Sequence, residues 1–301
     1  MKHISEISVV AVVVTYNRFA IFKQCIKALE NQKFEGKLTV LVIDNCSIDE
    51  TQEFCRSRTS DKFLYYRTNS NVGGAGGFNL GIKKASNMNY DYVWIMDDDC
   101  IPNEDALTNF FKICEINNDF GFLASKVLWK DNNLCKGNIP KRSIWRHVKR
   151  FNGNPQKIII ASFVSVLVPM KVVREVGFPI KDFFILSDDY EYTRRISRKY
   201  DSYYVSNSIV AHLSENNLGP DIVSLPEDQF EKLNRMYRND VFHYSKEGLN
   251  GRLFILFRII YHSLKVILLS KNKKKMRLAT IWKGTKEGRS FKPAIETWKN
   301  D

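Results

Sequence analysis

The segment Tyr92-Val93-Trp94-Ile95-Met96-Asp97-Asp98-Asp99-Cys100 constrains this chain more than any other, because a run with the character of a buried strand stops abruptly in three carboxylates. Carboxylates at the carboxyl end of a buried strand repel one another unless a hard cation lies between them. Mg2+ or Mn2+ held in this way characteristically bridges to phosphate oxygens. Taken alone, an acidic triplet serves equally well as a solvated strand cap. The neighbouring segments decide between the two.

Val9 to Val14 is a continuous apolar, β-branched run that stops at Thr15-Tyr16-Asn17-Arg18, and Phe22, Cys25, Ile26 and Leu29 follow at helical spacing. Thr39 to Ile43 repeats the arrangement, ending in Asp44-Asn45-Cys46-Ser47, with Ser47-Ile48-Asp49-Glu50 read as a capping box for the next helix. A third short strand, Phe63 to Tyr66, leads to Asn71-Val72-Gly73-Gly74-Ala75-Gly76-Gly77 and a helix through about Ala85. Strands alternating with helices at this spacing predict an α/β fold with a mostly parallel, doubly wound, Rossmann-like sheet, which binds ligands at the carboxyl ends of its strands. Thr15, Asp44, Asn71 and Asp97 all fall at those ends.

The glycine cluster is neither a dinucleotide fingerprint nor a P-loop, since it lacks the GxGxxG spacing and no GKS or GKT follows. Four glycines in five residues favour close backbone approach to a nucleotide sugar over a purely structural turn.

The strings VVVTYNR, VIDNCSIDET, NVGGAGGF and WIMDDDC, in that order, resemble family 2 glycosyltransferases of the GT-A fold, in the branch containing bacterial galactofuranosyltransferases and related rhamnosyltransferases. Asp188-Asp189-Tyr190-Glu191, followed by Ala211-His212, is similar to the acceptor-side segment of that branch, and Tyr237-Arg238-Asn239 to a tract beyond its catalytic domain. The resemblance implies an inverting transfer with Mn2+ or Mg2+ held by Asp97, Asp99 and His212, and with Asp98 turned toward the protein or the donor ribose. It implies that Thr15, Tyr16, Asn17 and Arg18 lie against the nucleotide, that Asp44 binds the base or ribose, and that Asn71, Gly73, Gly74, Ala75, Gly76 and Gly77 line the donor pocket. Asp189 is the implied general base, with Asp188 binding acceptor hydroxyls and Glu191 supporting the site. On residue chemistry alone, Ser187-Asp188-Asp189 would serve equally as a helix cap.

At 301 residues and 44% hydrophobic content the chain can bury a sizeable core. A catalytic domain is expected over 1–215, divided into a nucleotide-sugar half at about 8–100 and an acceptor half at about 101–215. A helical, basic, amphipathic extension is expected over 216–301. Phe163 to Pro169 reads as a further buried strand, and Lys130 to Gln156, irregular, basic and aromatic, as a mobile flap or a surface excursion. Arg252 to Ser270 is dense in Leu, Ile and Phe, but Arg258, His262 and Lys265 fall on one helical face, so it makes a poor membrane span. It suits an interfacial helix, particularly with Lys271, Lys273, Lys274, Lys275 and Arg277 following. An ordinary helix packed on the catalytic domain or on a partner chain, giving a homo-oligomer, fits as well.

A formal net charge of +13 raises the question of nucleic acid, but no recognition-helix, RRM or zinc-finger pattern is present. The six cysteines show no CxxC spacing, and with no secretory signal they are expected as free thiols in a reducing cytoplasm. The expectation is therefore a cytoplasmic enzyme, peripheral at the inner membrane face, moving galactofuranose from UDP-galactofuranose to a lipid-linked or oligosaccharide acceptor in surface polysaccharide synthesis. A dTDP-rhamnose donor is the alternative within the class. A sugar-nucleotide nucleotidyltransferase lacks its Gly-rich basic loop here, and a non-catalytic glycan-binding protein would not need Asp97, Asp99, Asp189 and His212 together.

Overall fold

The computed structural model describes residues 3–114 and 119–299. Its first half is β1 (Ser8–Thr15), α1 (Phe19–Glu30), β2 (Lys37–Asp44), α2 (Thr51–Arg58), β3 (Phe63–Arg67), α3 (Gly73–Ser86) and β4 (Tyr92–Asp97). These strands lie parallel in the order β3-β2-β1-β4. The register sets Thr15 opposite Asp44, Asp44 opposite Arg67, and Val14 opposite Asp97, so the strand ends line up along one edge.

β1 reads as an unbroken apolar run because helices cover both faces of the sheet. Val9, Ala11 and Val13 join Phe22 and Phe110 on one side. Val10, Val12 and Val14 join Phe78 and Ile82 on the other. The two-residue alternation of the strand distributes them.

The second half comprises β5 (Cys100–Pro102), α4 (Ala106–Cys114), β6 (Leu123–Trp129), β7 (Lys141–Ser143), β8 (Arg146–His147), β9 (Gln156–Ile158), β10 (Val166–Pro169), α5 (Met170–Val176), α6 (Asp188–Ser197) and β11 (Ser202–His212). β10, buried at all four residues, falls within the expected strand and runs antiparallel between β4 and β6. β11 pairs parallel with β6 but antiparallel with β5 and β9. Thus the first four strands are wholly parallel, whereas the strands that follow pair in both directions and make the sheet mixed.

The glycines after Asn71 do not form a loop ahead of a helix: they are the opening turns of α3 itself. A Cβ at Gly77 would lie 2.5 Å from Val14 Cγ1, and one at Gly81 would lie 2.5 Å from Val12 Cγ1. Two glycines one turn apart therefore let α3 press against β1. Gly73, with φ +75°, makes the entry turn, where a Cβ would meet the Phe184 carbonyl oxygen at 2.0 Å.

Segment 130–156 is seated on the rest of the chain at several points. β7 and β8 form a hairpin in which Ile144 and Val148 are buried, and the Trp145 ring at its turn packs on Phe254, centroids 5.0 Å apart. The chain closes with α7 (Phe230–Ser245), α8 (Gly248–Leu269) and α9 (Lys274–Ser290), which share an apolar cluster built on Leu233, Tyr237, Ile259, Val266 and Ile281. Among the described residues no helix is long and apolar enough to cross a membrane. Cys25, Cys46, Cys55, Cys100 and Cys135 are free thiols, and the Cys114 side chain lies outside the described residues.

Candidate active site

β4 ends at Asp97 and β5 begins at Cys100, so Asp98 and Asp99 occupy the tight turn between two sheet strands. β11 runs antiparallel to β5 with His212 opposite Cys100, which places His212 Nε2 3.1 Å from Asp99 Oδ1. Side-chain ligand atoms of Asp97, Asp99, Cys100 and His212 lie within 4.8 Å of one another. Burial among carboxylates keeps the Cys100 thiol protonated, its pKa well above the usual range, which makes it a poor donor to a hard cation. Two carboxylates and an imidazole remain, and the Asp97 carboxylate accepts no hydrogen bond among the described residues. That donor set fits a divalent metal. The Nδ1 of His212 lies 2.9 Å from Asn138 Oδ1, a partner that accepts its proton and leaves Nε2 aimed at Asp99.

The carboxylates of the triplet have divergent acidities. Burial, then the Asp99 charge, push Asp97 up to about 7. Burial pushes Asp98 up to about 6 against the pull of Arg18 and the Thr15 hydroxyl. For Asp99 the cost of burial is outweighed by His212 and Arg18, which hold it below the usual carboxylate range. Burial opposes a charge on His212, yet its hydrogen bonds to Asp99 and Cys135 and the Asp99 charge push it up to about 10. Arg18 spans the turn, donating from Nη1 to Asp98 Oδ1 (3.1 Å) and from Nη2 to Asp99 Oδ2 (2.9 Å), and Thr15 Oγ1 donates to Asp98 Oδ2 (2.8 Å). Asp98 is therefore turned toward the protein. Lys232 on α7 brings a second cation to this cleft, its pKa lowered by burial and then by Arg18.

The two loops after β1 and β2 are stitched together. Asn17, with φ +52°, donates its N–H to Ser47 Oγ (3.1 Å) and accepts from the Ile48 N–H (2.8 Å), while Asp49 accepts the N–H of Phe19 (3.0 Å) and of Thr51 (3.1 Å). The expected capping box does not form, because Ser47 serves Asn17 and Asp49 takes over the start of α2. Tyr16 is exposed at the rim. Asp44 is fully buried, accepting from the Ser47 N–H (2.7 Å) and the Tyr65 hydroxyl (2.7 Å), so both of its oxygens already bind within the protein. Asn71 Oδ1 accepts from Asn45 Nδ2 (2.9 Å) and the Gly73 N–H (2.8 Å). Gly73, Ala75, Gly76 and Gly77 are buried under their neighbours, leaving Gly74 as the partly open residue of the tract.

Asp188 and Asp189 open α6. Burial, with the Glu191 charge adding to it, raises Asp188 to about 6 despite the helix N–H groups. Burial, then the Asp188 charge, hold Asp189 well above the usual range, and Asp97 adds to this, so the two acidic groups lie close enough to sense one another. Glu191 supports the site at one remove: both its oxygens accept from Arg195 (2.9 Å each), which also donates to the Val176 and Phe178 carbonyls.

The approach to α6 is strained, with Phe184, Leu186 and Ser187 all at φ of +64° to +66°. Asn239 holds it, its Nδ2 donating to the carbonyls of Phe183 (3.1 Å), Ile185 (3.2 Å) and Leu186 (2.9 Å), and Ser187 Oγ donates to Asp240 Oδ1 (2.7 Å). Lys141 is also drawn in, donating to the Tyr244 hydroxyl (2.9 Å) with its ammonium 4.9 Å from the Tyr190 ring centre. Burial and then Arg258 lower it to about 8. Sequence reasoning singled out the tract containing Asn239 but missed Lys141, Asn138 and Lys232, which are isolated polar residues with no spacing to mark them.

The chain is thus an α/β protein whose mixed sheet gathers carboxylates at its strand ends. Residues 10–177 match the model of glycosyl transferase family 2, and the chain belongs to that family. It is 25% identical over 199 residues to galactofuranosyltransferase GlfT1 of Mycolicibacterium smegmatis, the match covering 63% of this chain and 65% of that relative. Its fold is that of GT-A glycosyltransferases. S. aureus TarS 1-349 in complex with UDP-GlcNAc superposes with a TM-score of 0.58 at 14% identity, covering 91% of this chain and 79% of that one. Mannosyltransferase PcManGT from Pyrobaculum calidifontis in complex with GDP-Man and Mn2+ gives 0.55 at 15% identity, covering 95% and 76%.

Proposed function

We propose that this glycosyltransferase is an inverting, metal-dependent enzyme that moves galactofuranose from UDP-galactofuranose to a lipid-linked or oligosaccharide acceptor in bacterial surface polysaccharide synthesis. The observation that carries the reading is two acidic groups within electrostatic reach of one another, Asp97 and Asp99 with His212, and Asp188 with Asp189. The similarity to GlfT1 supports the furanose donor.

Asp97, Asp99 and His212 would hold a divalent cation, Mn2+ or Mg2+, which would supply positive charge against that developing on the leaving diphosphate. Arg18 and Lys232 add positive charge on the same side. Thr15 and Arg18 keep Asp98 ionised and fix the turn. Asn71 and Gly74 face the donor sugar, and the loops carrying Tyr16, Asn17 and Asp44 frame the nucleoside. Asp189, whose carboxyl burial and the Asp188 charge hold well above the usual carboxylate range, takes the proton from the acceptor hydroxyl as that oxygen bonds to the anomeric carbon and the bond to the diphosphate breaks. Asp188 orients the acceptor. One displacement inverts the anomeric centre and leaves no sugar on the protein.

Nucleotide release by the purified chain with Mn2+ and a membrane lipid extract tests this, with UDP-galactofuranose, UDP-galactopyranose, UDP-glucose and dTDP-rhamnose compared in parallel. Release from the furanose donor, lost in Asp97→Ala, supports the assignment. Release from dTDP-rhamnose alone overturns the donor, and release that is insensitive to EDTA overturns the metal.

A further inference from the structure

The amphipathic helix α8 is mounted with its charged face inward. Arg258 Nη2 lies 3.0 Å from Asp240 Oδ2, His262 Nδ1 lies 2.7 Å from the Tyr237 hydroxyl, and Lys265 Nζ lies 2.9 Å from Asp221 Oδ1. All three partners belong to α7 or the loop before it. The opposite face, at three- and four-residue spacing, presents Leu253 (39% exposed), Leu256 (51%), Phe257 (58%), Ile260 (46%), Leu264 (51%) and Ile267 (48%). Large side chains in a continuous helical stripe of this kind mark an interaction surface, whereas scattered exposed apolar residues do not.

The chemistry around the stripe selects its partner. Gly248–Leu269 contains no Asp or Glu. Immediately beyond it, Arg277 turns inward to the carbonyls of Ile222 (2.6 Å) and Leu225 (3.0 Å), and Lys273 pairs with Glu227. Lys271, Lys274 and Lys275 remain exposed with no carboxylate partner among the described residues. A second copy seated on this face would bring like charges together on a chain of net charge +13. An anionic bilayer offers hydrocarbon to the stripe and phosphate to the lysines.

We propose that α8 lies flat on an anionic membrane surface through this outward face. A helix of 22 residues provides a contact about 33 Å long. Trp145 of the β7–β8 hairpin rests on Phe254 and Phe257, and Lys141 of the same hairpin lies beside Tyr190, so docking sets the acceptor side of the cleft close to the lipid. That consequence rests on the glycosyltransferase reading; the docking itself does not.

Flotation of the full chain with vesicles of phosphatidylcholine, or of phosphatidylcholine with phosphatidylglycerol, tests the proposal. The chain is expected to float with the anionic vesicles. Phe257→Asp with Leu264→Asp lowers the bound fraction about tenfold or more. Alanine at Lys271, Lys274 and Lys275 weakens binding about a hundredfold at low salt and abolishes the preference for anionic lipid. A melting temperature and far-UV circular dichroism spectrum unchanged in both variants show that they fold, a control that does not depend on the donor and so separates this test from the catalytic one. Wild-type protein that stays unbound, or a wild-type dimer that the double aspartate variant splits, would overturn the proposal.

Discussion

His212 Nε2 lies 3.1 Å from Asp99 Oδ1 because the β5–β11 register sets His212 opposite Cys100, the residue after Asp99. Two strands far apart in the chain thus assemble an ion pair at the position where the cation is proposed to bind. In the metal-free protein this pair contributes stability. The raised pKa of His212 makes its contribution complete below its unfolded value of about 6.5 and lost as pH rises through about 10. The lowered pKa of Asp99 makes its contribution present above about 3.9 and lost in acid. The melting temperature in EDTA should therefore fall as pH rises from 7 toward 10.

Metal must displace the proton from His212, and with Asp97 pushed up to about 7, part of a second proton as well. Mn2+ affinity should then rise between about pH 6 and 9, with proton release seen by calorimetry in buffers of different ionisation enthalpy. Affinity that does not change with pH would contradict this arrangement.

The glycine tract separates into two roles. Gly77→Ala drives a Cβ to 2.5 Å from Val14 Cγ1 and should destabilise by about 1–3 kcal/mol. Gly74→Ala meets nothing within 4 Å and should hold or gain up to about 1 kcal/mol of stability. A rise in donor KM for Gly74→Ala, with melting unchanged, would locate the sugar beside it.

Asn239 pins the strained approach to α6. Asn239→Ala removes the amide that donates to the Ile185 and Leu186 carbonyls, and one of the donors to the Phe183 carbonyl, leaving the Phe184–Ser187 backbone less supported, a loss of about 2–4 kcal/mol. Transfer should fall further than stability explains at temperatures where the variant is still folded, because Asp188 and Asp189 follow that turn directly. Chemical denaturation and turnover measured on the same preparation check this.

The Asp188–Asp189 pair predicts the acid limb of the pH profile. Because Asp189 is held high by burial and by the Asp188 charge, kcat/KM should rise with pH through an apparent pKa above the ordinary carboxylate value of about 3.9. Asp188→Asn removes the neighbouring charge and should move that limb to lower pH. An unmoved limb would assign it to another group.

Much of this was legible in the amino-acid order. Val9 to Val14, Thr39 to Ile43 and Tyr92 to Met96 read as strands because a parallel sheet covered on both faces demands apolar runs, and their ends marked Thr15, Asp44 and Asp97 directly. The glycine tract was legible as close approach, but not that Gly77 approaches β1 itself. The sequence placed Arg258, His262 and Lys265 on one face of α8, but which face points inward depends on Asp240, Tyr237 and Asp221, partners that only the folded chain reveals. Lys141 carried no signal because its burial is decided by Tyr244 and Tyr190, far along the chain.

The central claim divides labour between the two acidic groups, and Asp189→Asn tests it most directly, with Mn2+-dependent UDP binding and sugar transfer measured side by side. Binding within about twofold of wild type, with transfer lowered about 10²–10⁴-fold, is the predicted result. Transfer within a few-fold of wild type would contradict it.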